Sequence, residues 1–324
     1  MRVKLLTSIV ALASLGLAAT SSVYAETKFP EKDIKLVIPY GPGGATDIIF
    51  RLISQEAEKN LGQSIVPVNI QGAAATRGSR EVLNSKPDGY TILGGHEAIA
   101  LSKISGMVDY SYDAFEPVSL LTSTINIPTT YAEHPIKTAK EMAQYVRENA
   151  GDVRVGMIPS STDHFFWIQF FESAGIPLED IRLISYPDTG SQVSALLAHE
   201  IDFTMINMPS GGSFFKEGSF RPLGVAYDKR LDALPDIPTL KEQGIDLINA
   251  TSRGIFVPKG TPENKIKIIA DAYKKALENK SVVSRIENEF GTIVNYLSYS
   301  EYEKFLMDSE TTLNKIAEKV DFSR

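Results

Sequence analysis

The stretch Lys35-Leu36-Val37-Ile38-Pro39-Tyr40-Gly41-Pro42-Gly43-Gly44-Ala45-Thr46-Asp47 passes from a short apolar run into a glycine-rich loop. Ile48, Ile49, Leu52 and Ile53 then recur at helical spacing, so the segment reads strand, loop, helix. The unit recurs. Residues 65–68 read as strand, 71–78 as a loop of small residues, and a helix follows through Val82 and Leu83. The turn Lys86-Pro87-Asp88-Gly89 leads to a strand over 90–93. Further on, 153–158 reads as strand before the polar turn Pro159-Ser160-Ser161-Thr162-Asp163 and an aromatic-rich helix over 164–173. A strand over 181–185 feeds Tyr186-Pro187-Asp188-Thr189-Gly190-Ser191 and a helix ending near His199, with buried strands expected over 201–206 and 223–226. This alternation predicts an α/β chain built around a largely parallel sheet. In such sheets ligands sit where strand ends meet helix starts, because the first-turn N–H groups lack intrahelical partners and the helix end is positive. Small residues let a ligand reach that backbone, so the converging loops predict a cradle for a carboxylate.

The N-terminus predicts the compartment. Arg2 and Lys4 precede an apolar run over 5–19, and Val23-Tyr24-Ala25 supplies small residues at the third-last and last positions of a secretory signal peptide spanning 1–25. The apolar run is shorter than the roughly 20 residues of a membrane-spanning helix. With no cysteine among 324 residues, the chain has no disulfide, no thiol nucleophile and no site for a lipidated cysteine, so a diffusible periplasmic protein is expected. The formal net charge of −7 argues against nucleic acid or an anionic membrane surface as a partner. Attraction for an anionic ligand must therefore be local. The length exceeds a typical single core, and two lobes are expected.

Several chemistries are disfavoured by pattern. Gly41-Pro42-Gly43-Gly44 lacks the glycine spacing of a dinucleotide fingerprint, and no phosphate-binding P-loop occurs. The four histidines, His96, His134, His164 and His199, include no helical i, i+4 pair, so neither a metal nor another cofactor is expected. Asp163-His164 behind Ser160 and Ser161 suggests a hydrolase triad, but the Gly-x-Ser-x-Gly elbow is absent and helix capping is the favoured reading. Asp47 reads equally as a first-turn carboxylate serving its own helix or as a ligand contact. Phe165 and Trp167 read as core or as cleft lining. Arg77, in a loop otherwise of Gly, Ala and Thr, reads either as a solvated surface residue or as a bidentate carboxylate clamp.

Certain segments together resemble the substrate-binding proteins of tripartite tricarboxylate transporters, the Bug family. They are Ile38-Pro39-Tyr40-Gly41-Pro42-Gly43-Gly44-Ala45-Thr46-Asp47 with Arg51, Pro87-Asp88-Gly89-Tyr90-Thr91, and Ala195-Leu196-Leu197-Ala198-His199-Glu200-Ile201-Asp202. Asp228-Lys229-Arg230, Pro235-Asp236-Ile237-Pro238-Thr239 and Pro258-Lys259-Gly260-Thr261-Pro262 complete the series, which covers essentially the whole mature chain. The resemblance implies a two-lobed α/β periplasmic binding protein fold, type II-like, hinged between lobes over 26–123 with 228–324 and over 124–227. It implies a carboxylate held by backbone N–H groups of Gly43, Gly44, Ala45 and Asp47 on one side and of Thr189, Gly190 and Ser191 on the other. Ala74, Ala75, Thr76, Ser161, Thr162, Asp163, His164 and Asn207 are expected to line the cleft, and Tyr40, Pro42, Arg77 and His96 complete the expected ligand-binding set. Where the family usually reads Asn-Arg-Pro-Gly-Ala-Gly-Gly-Thr-Ile-Gly, this chain has Asn69-Ile70-Gln71-Gly72-Ala73-Ala74-Ala75-Thr76-Arg77-Gly78, with alanines for two glycines and a charge at an aliphatic position. The expected function is capture of a small organic carboxylate by a monomer that delivers it to a two-component membrane permease, without catalysis. Presentation of the ligand to a membrane sensor kinase, or periplasmic hydrolysis, are the alternatives.

Overall fold

A computed structural model describes residues 28–318, and the signal peptide expected over 1–25 lies outside them. The opening unit folds as read. Strand β1 (Ile34–Ile38) is buried at four of five positions, and α1 (Ala45–Leu61) turns Ile49, Phe50, Ile53 and Ala57 into the core beneath it. Strands β2 (Ile65–Asn69) and β3 (Thr91–Gly95) pair with β1 in parallel, with α2 (Thr76–Leu83) between them. After α3 (Ala98–Ile104) the chain enters β4 (Phe115–Ile125), a long strand. It is buried at nine of eleven positions, lacks clean alternation, and pairs antiparallel with two strands from the end of the chain, β10 (Ala250–Pro258) and β11 (Thr292–Leu297). The first sheet therefore runs β11-β4-β10-β3-β1-β2 and is mixed, whereas a largely parallel sheet is predicted. The parallel half is the half whose strand-helix units are legible locally; the antiparallel half pairs residues more than a hundred positions apart. Helices α8 (Glu263–Ala276), α9 (Lys280–Ser284) and α10 (Tyr299–Ala317) close this body, with Ile266, Ile269 and Tyr273 facing α1.

The second sheet is formed by β5 (Ile127–Tyr131), β6 (Arg154–Met157), β7 (Arg182–Ser185), β8 (Phe203–Ile206) and β9 (Phe220–Pro222), in the order β7-β6-β8-β5-β9. Helices α4 (Ala139–Glu148), α5 (Thr162–Ser173), α6 (Thr189–Leu197) and α7 (Met208–Glu217) surround it. The strand expected over 223–226 is a correction: pairing ends at Pro222, and Val225 makes only an isolated bridge to Thr239. Leu223, Ala226, Leu240, Ile245 and Leu247 nevertheless pack into the second core, so the chain stays on this body until Ala250 opens β10.

Only Asn126 separates β4 from β5, and Asn249 stands at the return. The two crossings are tied to each other. Asn126 Nδ2 donates to Asn249 Oδ1 at 2.5 Å, the Asn126 amide to the Asn249 carbonyl at 3.3 Å, and the Asn249 amide to the Ala226 carbonyl at 2.8 Å. Helix α5 is apolar over most of its circumference, with Glu172 exposed, as suits a helix packed between two bodies. Phe166, Trp167, Phe170 and Phe171 enter the second core, while Phe165 and Ile168 pack with Tyr112, Phe256, Tyr302 and Leu306 of the first body. Phe165 and Trp167 are thus core residues rather than cleft lining, and Trp167 Nε1 donates to the Gly156 carbonyl.

Candidate functional site

Between the two sheets lies a cavity of about 610 Å³, walled by the loops that follow β1, β2 and β3 on one side and β6, β7 and β8 on the other. The first loop is shaped from within. Gly43 takes φ +79°, a conformation that a Cβ disfavours, and its amide donates to Asp47 Oδ2 at 3.0 Å. Asp47 Oδ1 accepts from Arg51 Nε at 2.7 Å and from Asn69 Nδ2 at 2.9 Å. Burial pushes the Asp47 carboxyl up, but the bonds from Gly43, Asn69 and Arg51 more than offset it and hold the pKa below the ordinary carboxylate value. Of the two readings of Asp47, the structure shows the loop-building one. Gly44 then caps α1 without a side-chain hydrogen bond, and the Ala45 amide donates across the cleft to Ser210 Oγ at 3.1 Å.

The altered second loop is more unusual. Ala73, Ala74 and Ala75 all have positive φ, at 47°, 48° and 75°, a region that costs an L-residue about 1–2 kcal/mol each. All three line the cavity. The Ala74 carbonyl is held by Ser102 Oγ at 3.0 Å, and the Ala73 carbonyl accepts the Thr76 amide. Arg77 also reaches the cavity wall; its side chain lies over Gly72, and the residue is exposed.

Behind these loops stands Arg253 on β10, only 2% exposed and part of the cavity wall. Its Nε donates to Thr46 Oγ1 at 3.0 Å and its Nη1 to Thr124 Oγ1 at 2.6 Å and to the Thr251 carbonyl at 3.3 Å. No carboxylate among the described residues lies within ion-pair distance of it. Burial lowers its pKa to about 10, so it remains a cation at neutral pH. Glu97, on the same side, uses its carboxylate to accept the Ser252 amide at 2.9 Å, and burial raises its pKa to about 7. His96 stacks on Tyr40 with ring centroids 4.5 Å apart, and its Nδ1 accepts the Ala98 amide at 3.2 Å. Burial and then the charge of Arg253 depress the His96 pKa well below its ordinary value, so the ring is neutral and Nε2 carries the proton.

The second wall uses side-chain caps. Ser161 caps α5, and its one hydroxyl hydrogen is shared between the Ile158 carbonyl and Asp163 Oδ1. Asp163 also accepts the Ile158 amide and Gln192 Nε2 at 2.7 Å; burial nonetheless raises its pKa to about 6. Asp188 caps α6, accepting from the Ser191 amide at 2.8 Å and from its hydroxyl at 2.9 Å. Asn207 is the N-cap residue of α7, yet its side chain makes no capping bond, and Oδ1 is buried without a partner.

Tyr40, Pro42, Gly44, Ala45, Ala74, Ala75, Arg77, His96, Ser161, Thr162, Asp163, Thr189, Gly190 and Asn207 therefore come together around one cavity. Gly43, Asp47, Thr76, His164 and Ser191 are not part of its wall: Gly43 and Asp47 fold their loop, and Ser191 is engaged by Asp188. His164 Nδ1 accepts the Ser160 amide, and Ser161 is bound as a cap, in keeping with the capping reading of that turn. Arg253 escaped the sequence reading, although a lone charge in Thr251-Ser252-Arg253-Gly254-Ile255-Phe256-Val257 was the available signal, since a buried charge needs a reason. Among the described residues, no group of three or more metal-ligating side chains is placed to hold an ion.

The sequence pattern of the tripartite tricarboxylate transporter family receptor matches residues 49–322. The chain belongs to this receptor family. It is 29% identical over 321 residues to the UPF0065 protein in the gbd 5′ region of Cupriavidus necator, covering 97% of this chain and 95% of that one. The receptor fold is shared with MatC of Rhodopseudomonas palustris, solved with bound malate, at 24% identity and a TM-score of 0.81, covering 89% and 100% of the two chains. A second R. palustris protein, solved with adipate, gives 23% identity and a TM-score of 0.84 over 90% and 98%. Receptors of this family are periplasmic substrate-binding proteins, and no helix among the described residues is long and apolar enough to cross a membrane.

Proposed function

We propose that this receptor captures a small carboxylate-bearing organic anion between its lobes and delivers it to a two-component membrane permease of the tripartite tricarboxylate type. The observation that carries the reading is the cavity itself: a buried Arg253 with no carboxylate of the described residues in ion-pair contact and the glycine-led start of α1 face it from one lobe, and the starts of α5 and α6 face it from the other. Backbone N–H groups at helix starts and a desolvated guanidinium both favour carboxylates. Malate and adipate in the two structural neighbours are of that chemical class. A ligand touching both walls shifts the lobes toward closure about the paired crossings at Asn126 and Asn249, and the closed surface is what the permease distinguishes. No step of this function breaks a covalent bond. Thermal unfolding in the presence of mono-, di- and tricarboxylates, aromatic acids and amino acids tests it: a ligand at 100 times its Kd raises stability by about 2.7 kcal/mol. A flat response across the panel overturns the carboxylate reading.

A further inference from the structure

The contacts that join the two lobes are unequal on the two sides of the cavity. Along one flank α5 is sealed to the first body: Phe165 and Ile168 are each only 1% exposed and pack with Tyr112, Phe256, Tyr302 and Leu306. Baring two such side chains lowers the population of an open state by about 100-fold or more. The crossings are sealed as well. Met208, at the start of α7, packs with Ile125 and Ile127 on either side of Asn126, and it lies so close to Gly291 of the first body that a Cβ there would come within 2.7 Å of its Cγ. The opposite flank, where the start of α1 faces α7, is held differently. The Ala45 amide donates to Ser210 Oγ at 3.1 Å; among the described residues no other hydrogen bond or ion pair joins these two helices, and no buried apolar cluster spans them. Ser210 is half-buried and lines the cavity. One hydrogen bond of this kind shifts an equilibrium by only about 2- to 12-fold. A rotating lobe therefore parts from its neighbour on the hydrogen-bonded flank long before the apolar flank gives way.

We propose that the cavity opens on this flank alone: the lobes pivot on the α5 contact and the crossings, the gap between the starts of α1 and α7 is the gate, and the hydrogen bond from Ala45 to Ser210 is its latch. The latch stands at the cavity, because the Ala45 amide belongs to the helix start that forms part of the wall. The inference rests on the receptor reading only for what passes through the gate. The gate itself is a property of the chain.

The test uses the lack of cysteine in this chain, which lets one introduced thiol report on one flank. Ala45→Cys marks the gate, at a residue 8% exposed, and Ile168→Cys marks the pivot. Each chain is treated with iodoacetamide, with and without Ser210→Ala in the same molecule. Loss of the latch is expected to speed alkylation at position 45 by about 2- to 12-fold, in proportion to the open population, and to leave the slow rate at position 168 unchanged. Ser210→Thr keeps the hydroxyl and should stay within about twofold of the original rate at position 45. Where Ile168→Cys fails to fold, Leu306→Cys on the facing helix α10 marks the same contact. Acceleration at the pivot position equal to that at position 45 shows that the lobes part as whole bodies and overturns the pivot. An unchanged rate at position 45 overturns the latch. None of these measurements involves a ligand, so either failure leaves the receptor reading standing, and that reading falls instead on a flat response to the acid panel.

Discussion

The two walls of the cleft are built from the same unit, a strand, a loop of small or polar residues and a helix start, yet they treat their helix starts differently. In the first lobe, Gly44 precedes α1 and Ala75 precedes α2, neither offering a capping side chain; the Ala45 amide borrows Ser210 Oγ from the other lobe, and Arg253 adds a buried positive charge behind them. In the second lobe, Ser161 and Asp188 satisfy amides of their own helices, and Asp163 adds a buried carboxyl. The starts of α5 and α6 use their helix-end potential to hold their own loops, whereas α1 and α2 on the first wall, and α7 on the second, have no capping bond from the N-cap side chain. Topology alone therefore does not make a helix start a binding site. What matters is whether the chain has already supplied the acceptor.

The sharpest way to break the comparison is to remove the acceptor from the second wall. Asp163→Ala strips a buried partner from the Ile158 amide, Ser161 and Gln192, and is expected to cost about 3 kcal/mol in chemical denaturation, with loss of ligand binding as the loop opens. A variant within about 0.5 kcal/mol of wild type would show that the wall does not depend on its internal carboxyl.

The pH dependence of stability distinguishes the walls next, since each holds one acid raised by burial: Glu97 from 4.5 to about 7 in the first, and Asp163 from 3.8 to about 6 in the second. For a raised acid the folded state keeps its proton after the unfolded chain has lost it, so stability is fullest below the unfolded pKa and falls as pH rises through the folded one. Relative to Glu97→Gln, the wild type should lose up to about 3 kcal/mol between pH 4.5 and 7. His96, depressed by burial, runs the other way below its ordinary pKa, and taking the difference between the two proteins removes it. Parallel curves for the two proteins would contradict the burial of Glu97 described above.

The smallest expected effect concerns the first wall's backbone. Ala73 is exposed and held at φ 47°, so Ala73→Gly relieves strain without losing packing; after the extra freedom of the unfolded glycine, a gain of up to about 1 kcal/mol is expected. A loss in unfolding free energy would mean that the alanine contributes something beyond its backbone.

Much of this was legible in the chain because it depends on neighbours in sequence. Strand β1, helix α1, the parallel pairing with β2 and β3, and the units ending in α5 and α6 follow from local periodicity and small-residue loops, and the loops that line the cavity are the ones those units expose. The antiparallel strands β4, β10 and β11 escaped, since their pairing is set by partners far along the chain and their burial on both faces erases alternation. So did the role of residues 223–247, which send Leu223, Ala226, Leu240, Ile245 and Leu247 into the second core with only a short 3-10 turn over Lys241–Gln243 as regular structure. Asp47 and Arg253 mark the division most clearly. That a carboxylate stands in the first turn of α1 is legible in the sequence, and so is a lone arginine at 253 beside an apolar run, although the strand that carries it is not. Tertiary packing is what consumes the carboxylate on Gly43, Asn69 and Arg51 and brings the arginine, 207 residues beyond Thr46, to bond with that threonine in the cavity wall, with no carboxylate of the described residues in ion-pair contact. A charge acts through its surroundings, and those surroundings exist only once the strands have been assembled.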